Sequence, residues 1–163
     1  MKRRTFVLAA VSAAVLAGCG FQLRKAPDFA FDSIRVNAAT SLANQLRRSL
    51  AADGRVQVLG PAEAGQPQVL LDLLQENRER VVVGINASGQ VREYQLRLRV
   101  RFRLRTPQGR ELVPETEIQQ HRDISFNETA VLAKEAEESL LYRDMQNDIV
   151  QQLMRRLSAL RAV

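Results

Sequence analysis

The chain has 163 residues, 45% hydrophobic and 26% charged. That balance excludes a disordered chain and suits one globular domain. It carries 24 Lys and Arg against 18 Asp and Glu, but three of the basic residues fall within the first four.

Lys2, Arg3 and Arg4 form a charged head. Thr5 to Gly18, "TFVLAAVSAAVLAG", follows with no charge and many small residues. Charged head, short apolar run and small residues at the end make residues 1–18 a secretory signal. The run is too short for a comfortable membrane span. It ends in "LAGC", Leu16 to Cys19, a bacterial lipobox, in which the chain is cut before the Cys and the thiol takes lipid. Cys19 is the one Cys of the chain, so it has no intramolecular disulfide partner. Several acyl chains on Cys19 would anchor the domain without a spanning helix, since one chain alone holds only marginally. Arg3 and Arg4 also fit a twin-arginine export signal. No cofactor motif accompanies them, and the general secretory route is favoured. Gly20, in place of an Asp, favours passage to the outer membrane. Losing Lys2, Arg3 and Arg4 takes the 24 basic residues to 21 against 18 acidic, a net charge of +3. The precursor's basic character therefore gives no reason to expect nucleic acid as a partner.

Residues 19–32 read as a lipidated tether, and residues 33–163 as a single domain. Ser33 to Asn37 is a short strand. Thr40 or Ser41 caps a helix whose Leu42, Leu46 and Leu50 share one face, with Gly54 at its stop. Arg55 to Gly60 offers a second short strand, and Pro61 to Pro67 a loop. Gln68 to Ile85 reads as one long or bent strand, and Asn86 to Gln90 as a turn.

Tyr94 to Arg105, "YQLRLRVRFRLR", alternates apolar and polar residues without a break. In a strand, Arg97, Arg99, Arg101, Arg103 and Arg105 share one face. Glu111 to Phe126 is the partner strand. A three-residue loop, Pro107-Gln108-Gly109, puts Gly where such a hairpin needs φ > 0. It predicts a register in which paired numbers sum to 216. Arg105, Arg101 and Arg99 then oppose Glu111, Glu115 and Glu117. Arg97, opposite Gln119, and Arg103, opposite Val113, keep spare charge; the row reads first as a solvated charged face, with anion contact by these two arginines as the alternative. Pro114 calls for an edge position or a bulge. From Ser139 on, Leu141, Met145, Ile149, Leu153, Leu157 and Leu160 form the stripe of an amphipathic helix. Phe126 to Glu138 is an irregular link or an early helical turn. The architecture expected is α+β, two helices on one face of a mixed, roughly four-stranded sheet.

No nucleotide loop, metal-ligand spacing or nucleophile motif is present, and no cofactor or metal is expected. His121 lies on the charged strand face and reads as a surface residue. These features point to a binding or assembly protein, not an enzyme. A scaffold without a lipid ligand and an envelope hydrolase are the alternatives from other classes.

Four stretches together resemble the LptE family of lipopolysaccharide-assembly lipoproteins: "LAGCGFQLR" (Leu16 to Arg24), "GQVREYQL" (Gly89 to Leu96), "LAKE" (Leu132 to Glu135) and "QQLMRRLSALRA" (Gln151 to Ala162). Gln22 and Lys25 stand where many members have His and Gly. The resemblance implies two helices against a four-stranded sheet. It also implies an outer-membrane β-barrel partner, LptD, which such proteins plug and help to assemble, and passage of lipopolysaccharide to the outer leaflet. It implies Lys134 as a contact to lipopolysaccharide, whose phosphates suit Lys and Arg. A polar barrel lumen would suit the Arg/Glu sheet face. Lys134, Arg97 and Arg103 are thus the candidate ligand residues, and Cys19 the lipidation site.

Overall fold

The computed structural model describes residues 28–52 and 54–161; the signal, Cys19 and most of the tether lie outside them. Five strands form one sheet: β1 (Ser33–Asn37), β2 (Gln57–Leu59), β3 (Val69–Ile85), β4 (Val91–Arg105) and β5 (Glu111–Ser125), in the order β2-β1-β3-β4-β5. Two helices, α1 (Ser41–Ala51) and α2 (Val131–Ser158), cover one face. The fold is α+β as the patterning predicts, with five strands because the three-residue β2 adds in parallel to β1. β1 is also parallel to β3, while β3, β4 and β5 form an antiparallel meander, so the sheet is mixed.

Thr40 caps α1, its hydroxyl accepting from the Ala43 amide at 3.2 Å. Leu42, Leu46 and Leu50 are fully buried against Ile34 and Val36 of β1 in the same core. α2 begins eight residues before the Ser139 at which the sequence stripe starts. A single 3₁₀ turn, Glu128–Ala130, leads into it. Hydrophobic periodicity reports burial rather than helicity, and the first turns of α2 are not buried: Leu132 is 82% exposed. Further along, Met145, Ile149 and Leu153 are fully buried, joined by Tyr142, Val150 and Met154, which the stripe omits.

Both hairpin turns are built alike. Thr106 N–H donates to the Arg110 carbonyl (2.8 Å) and Gly109 N–H to Thr106 (3.0 Å), with Gly109 at φ +93°. Asn86 N–H donates to Gln90 (2.9 Å) and Gly89 N–H to Asn86 (3.0 Å), with Gly89 at φ +77°. Each is a three-residue loop closed by a Gly in a conformation that other residues rarely adopt.

The β4–β5 register starts as expected, with Arg105 opposite Glu111, and then slips. Leu104 pairs with Val113 and Phe102 with Thr116, and from there every pair sums to 218. Arg101 therefore opposes Glu117, Arg99 opposes Gln119, and Arg97 opposes His121, not the partners that 216 gives. The extra residues sit around Pro114, on an edge strand, where a missing N–H is tolerated. Two extra residues restore parity, so every side chain keeps its predicted face although its partner changes.

β3 is one continuous strand with a bulge between Leu73 and Gln75. Before the bulge, Val69 and Leu71 are fully buried. After it, Glu76, Arg78, Arg80 and Val82 pair with Val100, Leu98, Leu96 and Tyr94 and share their helix-side face. The result is an apolar β4 row under α2, flanked on the β3 side by polar residues.

Candidate functional site

The open face of the sheet carries the arginine row. β4 lies between β3 and β5, so its side chains have carboxylate neighbours on both sides. Asp72 on β3 is 8% exposed. Its Oδ2 accepts from Arg103 Nε (2.9 Å) and Arg105 Nε (2.8 Å), and its Oδ1 from Asn37 Nδ2 of β1 (2.7 Å). Burial pushes the Asp72 carboxyl up, but bonds from Arg105, Asn37 and Arg103 outweigh that and hold it below the ordinary carboxylate value. Arg99 bonds Glu79 of β3 at 2.6 Å. Arg101 bonds Glu115 of β5 at 3.1 Å and also donates to Gln75.

Two sequence expectations are corrected here. Arg103 is not left unpaired as expected, because it shares the single carboxylate of Asp72 with Arg105. Arg105 and Arg99 bond carboxylates of β3 rather than Glu111 and Glu117, which lie on the other neighbour. Arg97 makes no ion pair among the described residues; its Nε donates to Gln95 at 2.8 Å. His121 lies opposite Arg97 on this face and is exposed, as its place in the strand pattern predicts.

Lys134 is elsewhere. It stands on the helix-covered side, at the end of the sheet where α2 begins, in the wall of a crevice of about 190 Å³. The floor is apolar: Tyr94, Ile124, Phe126 and Val131. Tyr94 and Phe126 meet edge to face, their ring centroids 5.3 Å apart. Arg80 of β3 forms the opposite wall, its guanidinium 4.7 Å from the Tyr94 ring centroid. Arg80 also pairs with Glu138 at 3.4 Å. The Lys134 ammonium donates to Ser125 Oγ and to Glu137, each at 2.9 Å. A wider groove of about 520 Å³ continues along α2, past Arg78 and Tyr142. There Arg78 lies 5.1 Å from the Tyr142 ring centroid, and the Tyr142 hydroxyl donates to the Glu79 carbonyl at 2.9 Å. Burial, followed by the nearby Glu138 charge, raises the Tyr142 pKa, so it stays a neutral donor at physiological pH.

The candidates thus fall into two sets, with Lys134 on one side of the sheet and Arg97 and Arg103 on the other. The sequence reading missed Arg80 and Asp72. Asp72 left a signal, an acidic residue inside the apolar run "VLLDLL", which demands partners wherever it is buried. Arg80 left none, since only the bulge at Leu74 decides which face it takes. The crevice combines cations and an aromatic floor, which suits an anionic amphiphile. Among the described residues, no group of three or more His, Cys, Asp or Glu is placed to hold a metal ion. Nor is any helix long and apolar enough to cross a membrane.

Comparison with known proteins agrees with this architecture. The LPS-assembly lipoprotein LptE of Yersinia enterocolitica is 28% identical over 98% of this chain and 78% of its own. The solution structure of an uncharacterized lipoprotein B from Nitrosomonas europaea is 34% identical, with a TM-score of 0.71 over 86% of this chain and 91% of that one. The rare lipoprotein B from Shewanella oneidensis shares the fold at 21% identity, with a TM-score of 0.64 over 78% and 94%. The family described as LptE, lipopolysaccharide-assembly, matches residues 26–157. The chain belongs to the LptE family and is a lipopolysaccharide-assembly lipoprotein.

Proposed function

We propose that this protein is anchored to the outer membrane through lipidated Cys19, plugs and helps to assemble the LptD β-barrel, and binds lipopolysaccharide on its way to the outer leaflet. Family membership supports the assembly role. The observation that carries the ligand is the crevice: Lys134 and Arg80 flank a floor of Tyr94, Ile124, Phe126 and Val131. Phosphate groups match the cations, and acyl chains match the floor. The arginine face has a different use in this reading. Its charges are mostly neutralised in place, which leaves a polar surface with little net field, suited to a water-lined barrel lumen. No catalytic step belongs to this role.

The test is a tagged full-length chain recovered from detergent-solubilised outer membranes. It should bring a β-barrel protein and lipopolysaccharide with it. Recovery of the chain alone overturns the reading. Cys19→Ser should leave the precursor uncut, or the domain soluble in the periplasm. Membrane fractionation of that variant at the wild-type level, with no barrel present, would remove the anchor from the proposal.

A further inference from the structure

Each cation of the crevice already holds an anion from the protein. Arg80 is paired with Glu138 at 3.4 Å, and Lys134 with Glu137 at 2.9 Å. The two carboxylates are consecutive residues of α2, in the turn after Lys134. The side chains of Arg80 and Glu138 are 51% and 27% exposed, and that of Glu137 is 48% exposed. Exposed pairs of this length are weak and open readily. Each cation has a second contact besides its carboxylate. Tyr94 backs the Arg80 guanidinium, and Ser125 at the end of β5 holds the Lys134 ammonium. Removing a carboxylate would therefore leave the cations in place, facing the crevice. Glu138 and Glu135 line the crevice, Glu137 reaches Lys134 from beside it, and Arg78 stands just beyond in the adjoining groove.

We propose that Glu137 and Glu138 are built-in counter-anions of the crevice, which a phosphate monoester carrying an alkyl chain displaces from Lys134 and Arg80. The phosphate bonds Lys134 and Arg80 from within the crevice in place of their carboxylate partners, and the chain lies over Ile124, Phe126 and Val131. The carboxylates then act as internal competitors: they keep the crevice closed to weak anions and lower its affinity for strong ones. Arg80 is a ligand contact equal in standing to Lys134. This rests on the lipopolysaccharide reading only for the biological source of the phosphate.

The experiment is calorimetric titration of the full-length chain, in a non-ionic detergent at low salt, with octyl phosphate. Inorganic phosphate and octyl glucoside supply the head and the chain separately. Octyl phosphate should bind more tightly than either. Glu138→Gln, nearly isosteric, should tighten it about threefold or more by freeing Arg80 from an exposed pair. Arg80→Gln should weaken it about tenfold, the loss of one charge-assisted contact, and should abolish the gain from Glu138→Gln. Circular dichroism checks that each variant is folded. Unchanged or weaker binding by folded Glu138→Gln overturns the proposal, as does indifference to Arg80→Gln. The two readings separate cleanly. Lipopolysaccharide binding that needs Lys134 but ignores Arg80 and Glu138 removes this inference and leaves the proposed function. The expected octyl phosphate pattern without lipopolysaccharide binding removes the proposed ligand and leaves the crevice as a site for phosphorylated amphiphiles.

Discussion

The sheet has two unlike halves, joined at the bulge of β3. In the half next to β1, helix-side residues such as Val69, Leu71, Phe102 and Leu104 are at most 1% exposed, and the open face is held by Asp72 and its three donors. In the half beyond the bulge, β3 turns Glu76, Arg78 and Arg80 toward α2, and apolar side chains such as Val82, Val83 and Ile85 are 47–66% exposed. The ion pairs of the first half share one buried carboxylate, Asp72, whereas the paired carboxylates of the second, such as Glu79 and Glu138, are 35% and 27% exposed. Buried charge must be satisfied inside the fold, whereas exposed charge can exchange partners. Both halves bury an apolar β4 row, Leu96, Leu98 and Val100 in the second as fully as Leu104 in the first, but only the second leaves charged and apolar β3 side chains open to solvent.

The sharpest way to break that contrast is in the core. Phe102→Ala in the first half should cost about 3–5 kcal/mol in chemical denaturation, because a fully packed ring leaves a cavity. Leu132→Ala, at an 82% exposed position, should stay within about 0.5 kcal/mol. Equal losses would show that the start of α2 packs as tightly as the core.

Asp72→Asn comes next. It leaves Arg103 and Arg105 facing a neutral amide and should cost about 2–3 kcal/mol. The pH dependence has a definite sign. The folded carboxyl lies below its ordinary value of 3.8. Its contribution is therefore fully present above about pH 4 and lost as pH falls through the folded value. Acidification from pH 5 to pH 2 should thus destabilise wild type more than Asp72→Asn. Parallel curves would mean that the clamp carries no such linkage.

The effect on binding should run the other way across the two halves. Lys134→Asp should weaken lipopolysaccharide binding about tenfold, since a cation beside phosphate becomes an anion. Arg103→Ala should leave that affinity unchanged but lower stability, and Arg97→Ala should change neither by much. A drop in lipopolysaccharide affinity for folded Arg103→Ala would move the ligand to the open face.

The smallest effect tests the register. Arg101 contacts Glu115 although its direct opposite is Glu117. Double-mutant cycles should give Arg101 a coupling of about 0.2–1 kcal/mol with Glu115 and less with Glu117. A larger coupling with Glu117 would show that the diagonal contact yields to the direct one in solution.

Much of this was legible beforehand, for reasons that differ by element. The faces of β4 follow from strict alternation, α1 from its cap and its leucines, and both turns from glycines that must take positive φ. The partners of the arginines were not legible. Reading β4 against β5 alone could not see Asp72 or Glu79, because strand order is a tertiary property. The start of α2 was hidden because exposed helix leaves no apolar period. The crevice needed three strands, a bulge and a helix start to meet, and only Lys134 reached it from sequence resemblance. That position entered without its companion, Arg80.

The doubled irregularity around Pro114 has a consequence for how this strand can change length. One inserted residue would turn every position beyond it over, driving Glu117 and Gln119 into the core and Ile118 and Ile124 out to water. Two cancel. Insertions and deletions in this segment should therefore be tolerated by the fold in even numbers and disrupt it in odd ones. A library of one- to four-residue insertions after Pro114, sorted for folded protein, should alternate in survival with length.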